Sequence, residues 1–241
     1  PGNKYYQPGD IIEVVQIVNG DIYEGNKVWY KLDNGAYVWS GGVEGIEEMS
    51  SPVYTDRVFK ADDFWWIKDY SIAGLWKKGL SGKGVKIAIL DTGISYPHPD
   101  LNLNSDHFKD VSDSPSGIRD INGHGTHCAG IIKASNNGFG ITGIAYDADV
   151  YVCKIRNDDI GDDFSYLIKG IEWAVSQKCD IISISNGRPV ADAKLEAAIE
   201  KAALQNILVV CAAGNKTPGY PDDHIYYPAR FSQALSVGGI D

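Results

Sequence analysis

The 241-residue sequence has no cluster of lysine and arginine: 22 basic residues stand against 32 acidic ones, for a formal charge of −10. Phosphate binding requires a basic face, so this balance argues against a nucleic-acid partner. Acidic surfaces are ordinary for secreted enzymes, and an extracellular or cell-surface location is expected, with an intracellular one left open. No apolar run approaches the roughly 20 residues a membrane-spanning helix requires, and no charged segment followed by a short apolar one opens the chain at Pro1. That opening reads as a processed or trimmed one. The four cysteines, Cys128, Cys153, Cys179 and Cys211, include no Cys-x-x-Cys pair. All lie in apolar or small-residue segments and are expected as buried free thiols, with a disulfide, and hence the redox compartment, left open. Also absent is any Gly-Thr-Ser or Gly-x-Ser-x-Gly turn on which a serine nucleophile would be mounted.

With 44% hydrophobic residues, the chain can bury a substantial core as one medium domain plus a small module. Residues 1–52 alternate short β-rich runs (Asp10 to Val18, Val28 to Leu32, Ala36 to Trp39) with turns at Asn19-Gly20 and Asn34-Gly35, the pattern of hairpins in a small all-β unit. This segment resembles a bacterial SH3-like domain, a module that often binds cell-wall peptides or partner proteins. Its aromatics Trp29, Tyr30, Tyr37 and Trp39 serve either as that binding platform or as a small core. Residues 53–63 are polar and aperiodic and read as a linker.

A second domain is expected from Phe64. Non-alternating apolar runs (Val85 to Leu90, Val150 to Cys153, Ile181 to Ile184, Ile207 to Ala212) are separated by helix-length amphipathic segments. They predict a doubly wound parallel sheet covered on both faces, with the ligand site at the carboxyl ends of its strands. Three polar segments fall where that rule points. Asp91 follows an apolar strand and precedes Thr92-Gly93. His124 lies between two glycines at a helix start. Asn215 follows Ala212-Ala213-Gly214. Together they offer a carboxylate to orient a base, the base itself and an amide donor for an oxyanion. His127, three residues after His124, invites comparison with a zinc pair. No His-Glu-x-x-His pattern or third ligand accompanies it.

From Phe64 to Asp241 the chain resembles the subtilisin-like serine proteases, whose motifs appear in the family's order as Asp91-Thr92-Gly93, His124-Gly125-Thr126-His127 and Gly214-Asn215. The resemblance implies a serine endopeptidase in which Asp91 is the triad carboxylate, His124 the general base and Asn215 the oxyanion donor. The nucleophilic serine is then expected beyond Asp241. Ser185, Asn186 and Gly187 would form one edge of an extended-substrate cleft, with Ile160-Gly161-Asp162 opposite. Ala212 and Gly214 would wall the pocket for the residue before the scissile bond, and Tyr226 would shorten it. Lys216 and the acidic run Asp158, Asp159, Asp162, Asp163 are either specificity elements or solvated surface charge.

The resemblance also implies calcium, held by Asp100, the side chain of Asn137 and the carbonyls of Ser135, Phe139 and Ile141, with Asp62 or Asp63 as a further ligand. Cys128 matches the thiol-bearing branch of the family. It would sit near the active site without serving as nucleophile, since four residues on along one helix it is expected to point away from His124. Expected partners are a peptide or protein substrate, a complementing C-terminal fragment, and a wall or protein ligand for the N-terminal domain. Two alternatives remain: a pseudoprotease that binds peptide without cleaving it, and a binding module on a degenerate scaffold.

Overall fold

The computed structural model describes the backbone of residues 14–23, 26–32 and 37–39, together with residues 65–138, 140–215, 219 and 224–239. Contacts divide the chain into Pro1–Asp56 and Arg57–Asp241. In the first unit β1 (Val14–Tyr23), β2 (Asn26–Leu32) and β3 (Tyr37–Trp39) form an antiparallel sheet in that order. Val14 faces Leu32, and Trp29 faces Trp39. The linker expected at 53–63 and the side chains of Trp29, Tyr30, Tyr37 and Trp39 lie outside the described residues.

The second unit runs through α1 (Trp65–Asp69), α2 (Ile72–Lys77), β4 (Lys86–Asp91), β5 (Phe108–Asp110), α3 (His124–Lys133), β6 (Asp149–Lys154), β7 (Arg156–Asn157), β8 (Gly161–Asp162), α4 (Phe164–Ser176), β9 (Ile181–Ile184), α5 (Ala193–Ala203), β10 (Leu208–Ala212) and β11 (Ala234–Val237). Six strands form one sheet in the order β11-β10-β9-β4-β6-β5, and every neighbouring pair is parallel.

Apolar side chains on both faces of the strands explain this arrangement. Along β4, Ala88 and Leu90 enter one core with Leu167, Ile171, Leu195 and Ile199 of α4 and α5. Ile87 and Ile89 enter the opposite core with Ala129 of α3 and Leu101. A strand buried on both sides reads as an unbroken apolar run, whereas a half-exposed one alternates. Helices α4 and α5 start where side chains cap them. Asp163 accepts from Ser165 N ahead of α4, and Asp192 accepts from Lys194 N and Leu195 N ahead of α5.

The order of strands fixes the site. From β4 the chain passes to the edge strand β5 and returns through α3 to β6, all on one side. It then crosses to β9 on the other side and continues outward to β10 and β11. At such a reversal the connections leave in opposite directions and open a crevice at the carboxyl ends of the strands. Asp91 is the last residue of β4, so the crevice opens beside it.

Candidate active site

Asp91 is buried at the end of β4, and its Oδ1 lies 2.7 Å from His124 Nδ1 while also accepting from Thr92 N at 2.8 Å. A carboxylate accepting at that nitrogen holds the ring as the Nδ1–H tautomer and leaves Nε2 as the basic nitrogen. The two side chains differ sharply in exposure, 3% for Asp91 and 50% for His124. The carboxylate is thus committed inside the protein, and the imidazole is presented to a ligand.

His124 is the first residue of α3, and the position of that helix end is set by Asp120. Its carboxylate accepts from Thr92 Oγ1 at 2.9 Å, Asn122 N at 3.1 Å, Gly123 N at 2.8 Å, and Thr126 N and Oγ1 at 2.8 and 2.7 Å. Burial pushes the Asp120 carboxyl up, but the hydrogen bonds from Thr126, Gly123 and Thr92 outweigh it and hold the group below its ordinary value. Thr92 Oγ1 also accepts from Gly125 N at 2.8 Å, and Thr126 Oγ1 accepts from Ser95 N at 2.9 Å. The Asp-Thr-Gly and His-Gly-Thr-His segments are therefore stitched together by their threonines. Sequence reasoning missed Asp120. The signal available was a carboxylate three residues before the glycine that opens the helix.

Lys154 was also missed, since a lysine ending a strand reads as an exit to solvent. It is fully buried, and its Nζ donates to Asp158 Oδ1 and Oδ2 at 2.9 Å, Ser116 Oγ at 2.9 Å and the Arg119 carbonyl at 2.7 Å. Asp158 also accepts from the hydroxyls of Ser114 and Ser116. Against burial, these contacts hold the Asp158 carboxyl below its ordinary value.

Cys128 departs from the sequence expectation. Residues four apart share a helix face, and Cys128 Sγ stands 3.8 Å from His124 Nδ1 and 3.7 Å from Ser185 Oγ. It meets the nitrogen already engaged by Asp91. Burial, and then the charge of Asp91, push its thiol up to about 11, so it is protonated near neutral pH. All four cysteines are free, and three of them are buried. Among the described residues Asp91, His124 and Cys128 are the set of metal-ligating types whose atoms lie within 4.8 Å of one another; His127 is exposed and outside it.

The crevice between the strand ends is a cavity of about 170 Å³ whose lining includes Asp91, His124, Arg156, Ser185 and Asn186. Gly187 continues that edge. Tyr226 N donates to the Ala213 carbonyl at 2.8 Å, following Ala212 at the end of β10. Its ring lies against Gly214, where a Cβ would stand 2.6 Å from Tyr226 Cγ, and a Cβ on Gly187 would stand 3.2 Å from Tyr226 Cβ. Both glycines make room for this tyrosine, which joins the two segments expected as pocket walls. Asn215 is exposed, just past β10. Lys216 lies outside the described residues.

Asp100 is buried, 5% exposed, and its carboxylate accepts from Ile141 N at 2.9 Å and Asn137 Nδ2 at 3.2 Å. Burial pushes this carboxyl up, with the two hydrogen bonds and His98 acting against it. Gly140 closes over it, since a Cβ there would stand 2.3 Å from Asp100 Oδ2. Among the described residues the ion pairs include no lysine or arginine on Asp100. A desolvated carboxylate beside a carboxamide is the oxygen chemistry that fits a hard cation. Phe139, Asp62 and Asp63 lie outside the described residues.

A family model described as "Subtilase family" matches residues 82–241. The chain is 39% identical over 180 residues to the Major intracellular serine protease of Bacillus subtilis (strain 168), covering 72% of this chain and 56% of that protein. It is 39% identical over 191 residues to the Minor extracellular protease Epr of the same organism, covering 78% and 29%. Against Subtilisin Savinase of Lederbergia lenta the identity is 40% over 177 residues, covering 73% and 63%. The chain thus spans less than two thirds of the length of these relatives. No helix among the described residues is long and apolar enough to cross a membrane.

Proposed function

Because the chain belongs to the subtilase family, we propose that it carries the base and carboxylate of a serine endopeptidase centre whose nucleophilic serine stands outside these 241 residues. The carrying observation is the 2.7 Å contact between buried Asp91 and exposed His124. In this reading His124 Nε2 takes the proton of the attacking hydroxyl and returns it to the leaving amine. Asp91 stabilises the imidazolium that forms between those steps. Asn215 donates to the oxyanion, an interaction that grows as charge develops there.

An extended peptide lies between Ser185-Asn186-Gly187 and Ile160-Gly161-Asp162 as an added strand. Ala212 and Gly214 flank the side chain before the scissile bond, and the ring of Tyr226 between the two glycine walls favours a small residue there. Asp100, Asn137, Ser135 and Ile141, with Phe139, would hold calcium, which would tie the loop after α3 to the segment after β4. The antiparallel β1–β3 sheet is consistent with an SH3-like module carrying a wall or protein ligand.

The test is catalytic. The 241-residue chain alone should hydrolyse no peptide anilide. The same chain continued by the serine-bearing segment of a relative such as Subtilisin Savinase should do so. In that continued form His124→Ala should lower kcat/KM by at least about 10⁴-fold. Turnover by the chain alone, or indifference of the continued form to His124→Ala, would overturn the proposal.

A further inference from the structure

The cavity beside His124 has an unusual charge inventory. Its volume of about 170 Å³ is below the roughly 300–1,000 Å³ of small-molecule pockets, a size suited to one side chain. Asp91 Oδ1 within it is taken by His124 and Thr92, while Oδ2 is buried with no hydrogen-bond partner among the described residues. Asn122 contributes a neutral amide whose Oδ1 accepts from His124 N at 3.3 Å. The basic side chain of the lining besides His124 is Arg156, the first residue of β7, 42% exposed.

One N–H of Arg156 is engaged: Nη1 donates to Asp162 Oδ2 at 3.1 Å. A guanidinium has five such donors in a planar fork, so others remain for a second carboxylate. Asp162 is itself 29% exposed, and a part-exposed pair of this kind holds its partner weakly. Asp158, two residues along, does not compete, because its oxygens are taken by Lys154, Ser114 and Ser116.

We propose that Arg156 makes this cavity a carboxylate pocket, so that the peptide side chain lying against His124 is aspartate or glutamate. The inference rests on the peptidase reading and names the substrate class it takes. The chain as a whole, at −10, repels acidic peptides, so any preference for them must arise locally.

The probes are fluorescein-labelled alanine octapeptides carrying a single Glu, Gln or Lys at each position in turn. Binding to the 241-residue chain is read by anisotropy, and occupancy of the cleft by the His124 ring resonances. One Glu peptide should bind about tenfold more tightly than its Gln counterpart. Arg156→Gln should remove that difference, Arg156→Lys should keep part of it, and Arg156→Glu should transfer it to the Lys peptide. Peptide-free His124 resonances at wild-type positions show that each variant is folded. Glu and Gln peptides that shift His124 equally, or a preference that survives Arg156→Gln, would overturn the role of Arg156 and leave the peptidase reading standing. If no peptide shifted His124, both would fall.

Discussion

A single carboxylate sets the geometry of the base. Asp120 gathers five hydrogen bonds from Thr92 after β4, from Asn122 and Gly123 ahead of α3 and from Thr126 in its first turn, and none of them comes from Asp91 or the His124 ring. It is a positioning residue. An Asn at this place keeps one acceptor but turns an NH₂ group toward donors, leaving buried N–H groups unpaired. Asp120→Asn should therefore lower stability by about 3 kcal/mol near pH 7, the scale of a hydrogen-bonded charged group. The pH dependence has a definite sign. The folded-state carboxyl lies below its ordinary 3.8, so its contribution is fully present above that value and lost as pH falls through the folded one. Urea unfolding of both proteins from about pH 7 to about pH 3 should show the two stabilities converging at the acid end. A gap that stays constant with pH would mean that Asp120 acts through packing alone.

The element that carries His124 is held against β4 by the lack of a side chain. A Cβ on Gly125 would stand 2.4 Å from the Gly93 carbonyl oxygen, 3.1 Å from Gly93 N and 3.2 Å from Asp91 Cβ. Two of these are backbone atoms that cannot turn aside. Gly125→Ala should push α3 away from the strand, lowering stability by about 1–3 kcal/mol as overpacking does. In the serine-bearing form it should lower kcat much more than KM, because the imidazole moves while the peptide strands stay. Gly130, five residues along the same helix, is the control: a Cβ there meets Ile141 Cδ1 at 3.6 Å. Gly130→Ala should be neutral or stabilising by up to about 1 kcal/mol, since alanine is the better helix former. Equal losses for the two variants, read from urea midpoints and steady-state kinetics, would remove the argument. This element also shows what was legible beforehand. The apolar run of β4 and the two glycines flanking His124 announced a strand end and a helix start, because periodicity and small residues are local signals. Asp120 and Lys154 announced nothing, because their partners lie across turns: Thr92 is 28 positions from Asp120, and Arg119 is 35 from Lys154. The short strands β5, β7 and β8, of two or three residues, were invisible for a related reason. Pairing with a neighbour, and no pattern of their own, makes them strands.

At the scale of the whole subtilase unit, the sheet needs its connections held, and the loop after α3 is where a cation would act on them. Asp100 follows the loop leaving β4, while Asn137 and Ile141 belong to the segment between α3 and β6. Ser135 N donates to the Asp100 carbonyl at 2.9 Å, so backbone already joins the two segments. The carboxylate between them is desolvated, and its donors among the described residues, Ile141 N and Asn137 Nδ2, are neutral, a local cost that a bound divalent cation would offset. An ion that binds the folded chain and not the unfolded one stabilises it by about 2.7 kcal/mol at a hundred times its Kd. For a unit of this size that is an increase in Tm of roughly 5 to 10 °C. Calcium added to chelator-treated protein should give that rise, and magnesium, which demands stricter octahedral geometry, should give less. Asp100→Asn removes the charge but preserves the size of the side chain, so it should abolish the calcium increment while the calcium-free Tm changes little or rises. A calcium response undiminished in Asp100→Asn would place the ion elsewhere on this acidic surface, and calorimetric titration of both proteins would then show the same heat of binding. If neither protein responded to calcium, the hydrogen bonds of Ser135, Asn137 and Ile141 to Asp100 would hold the two segments together without an ion.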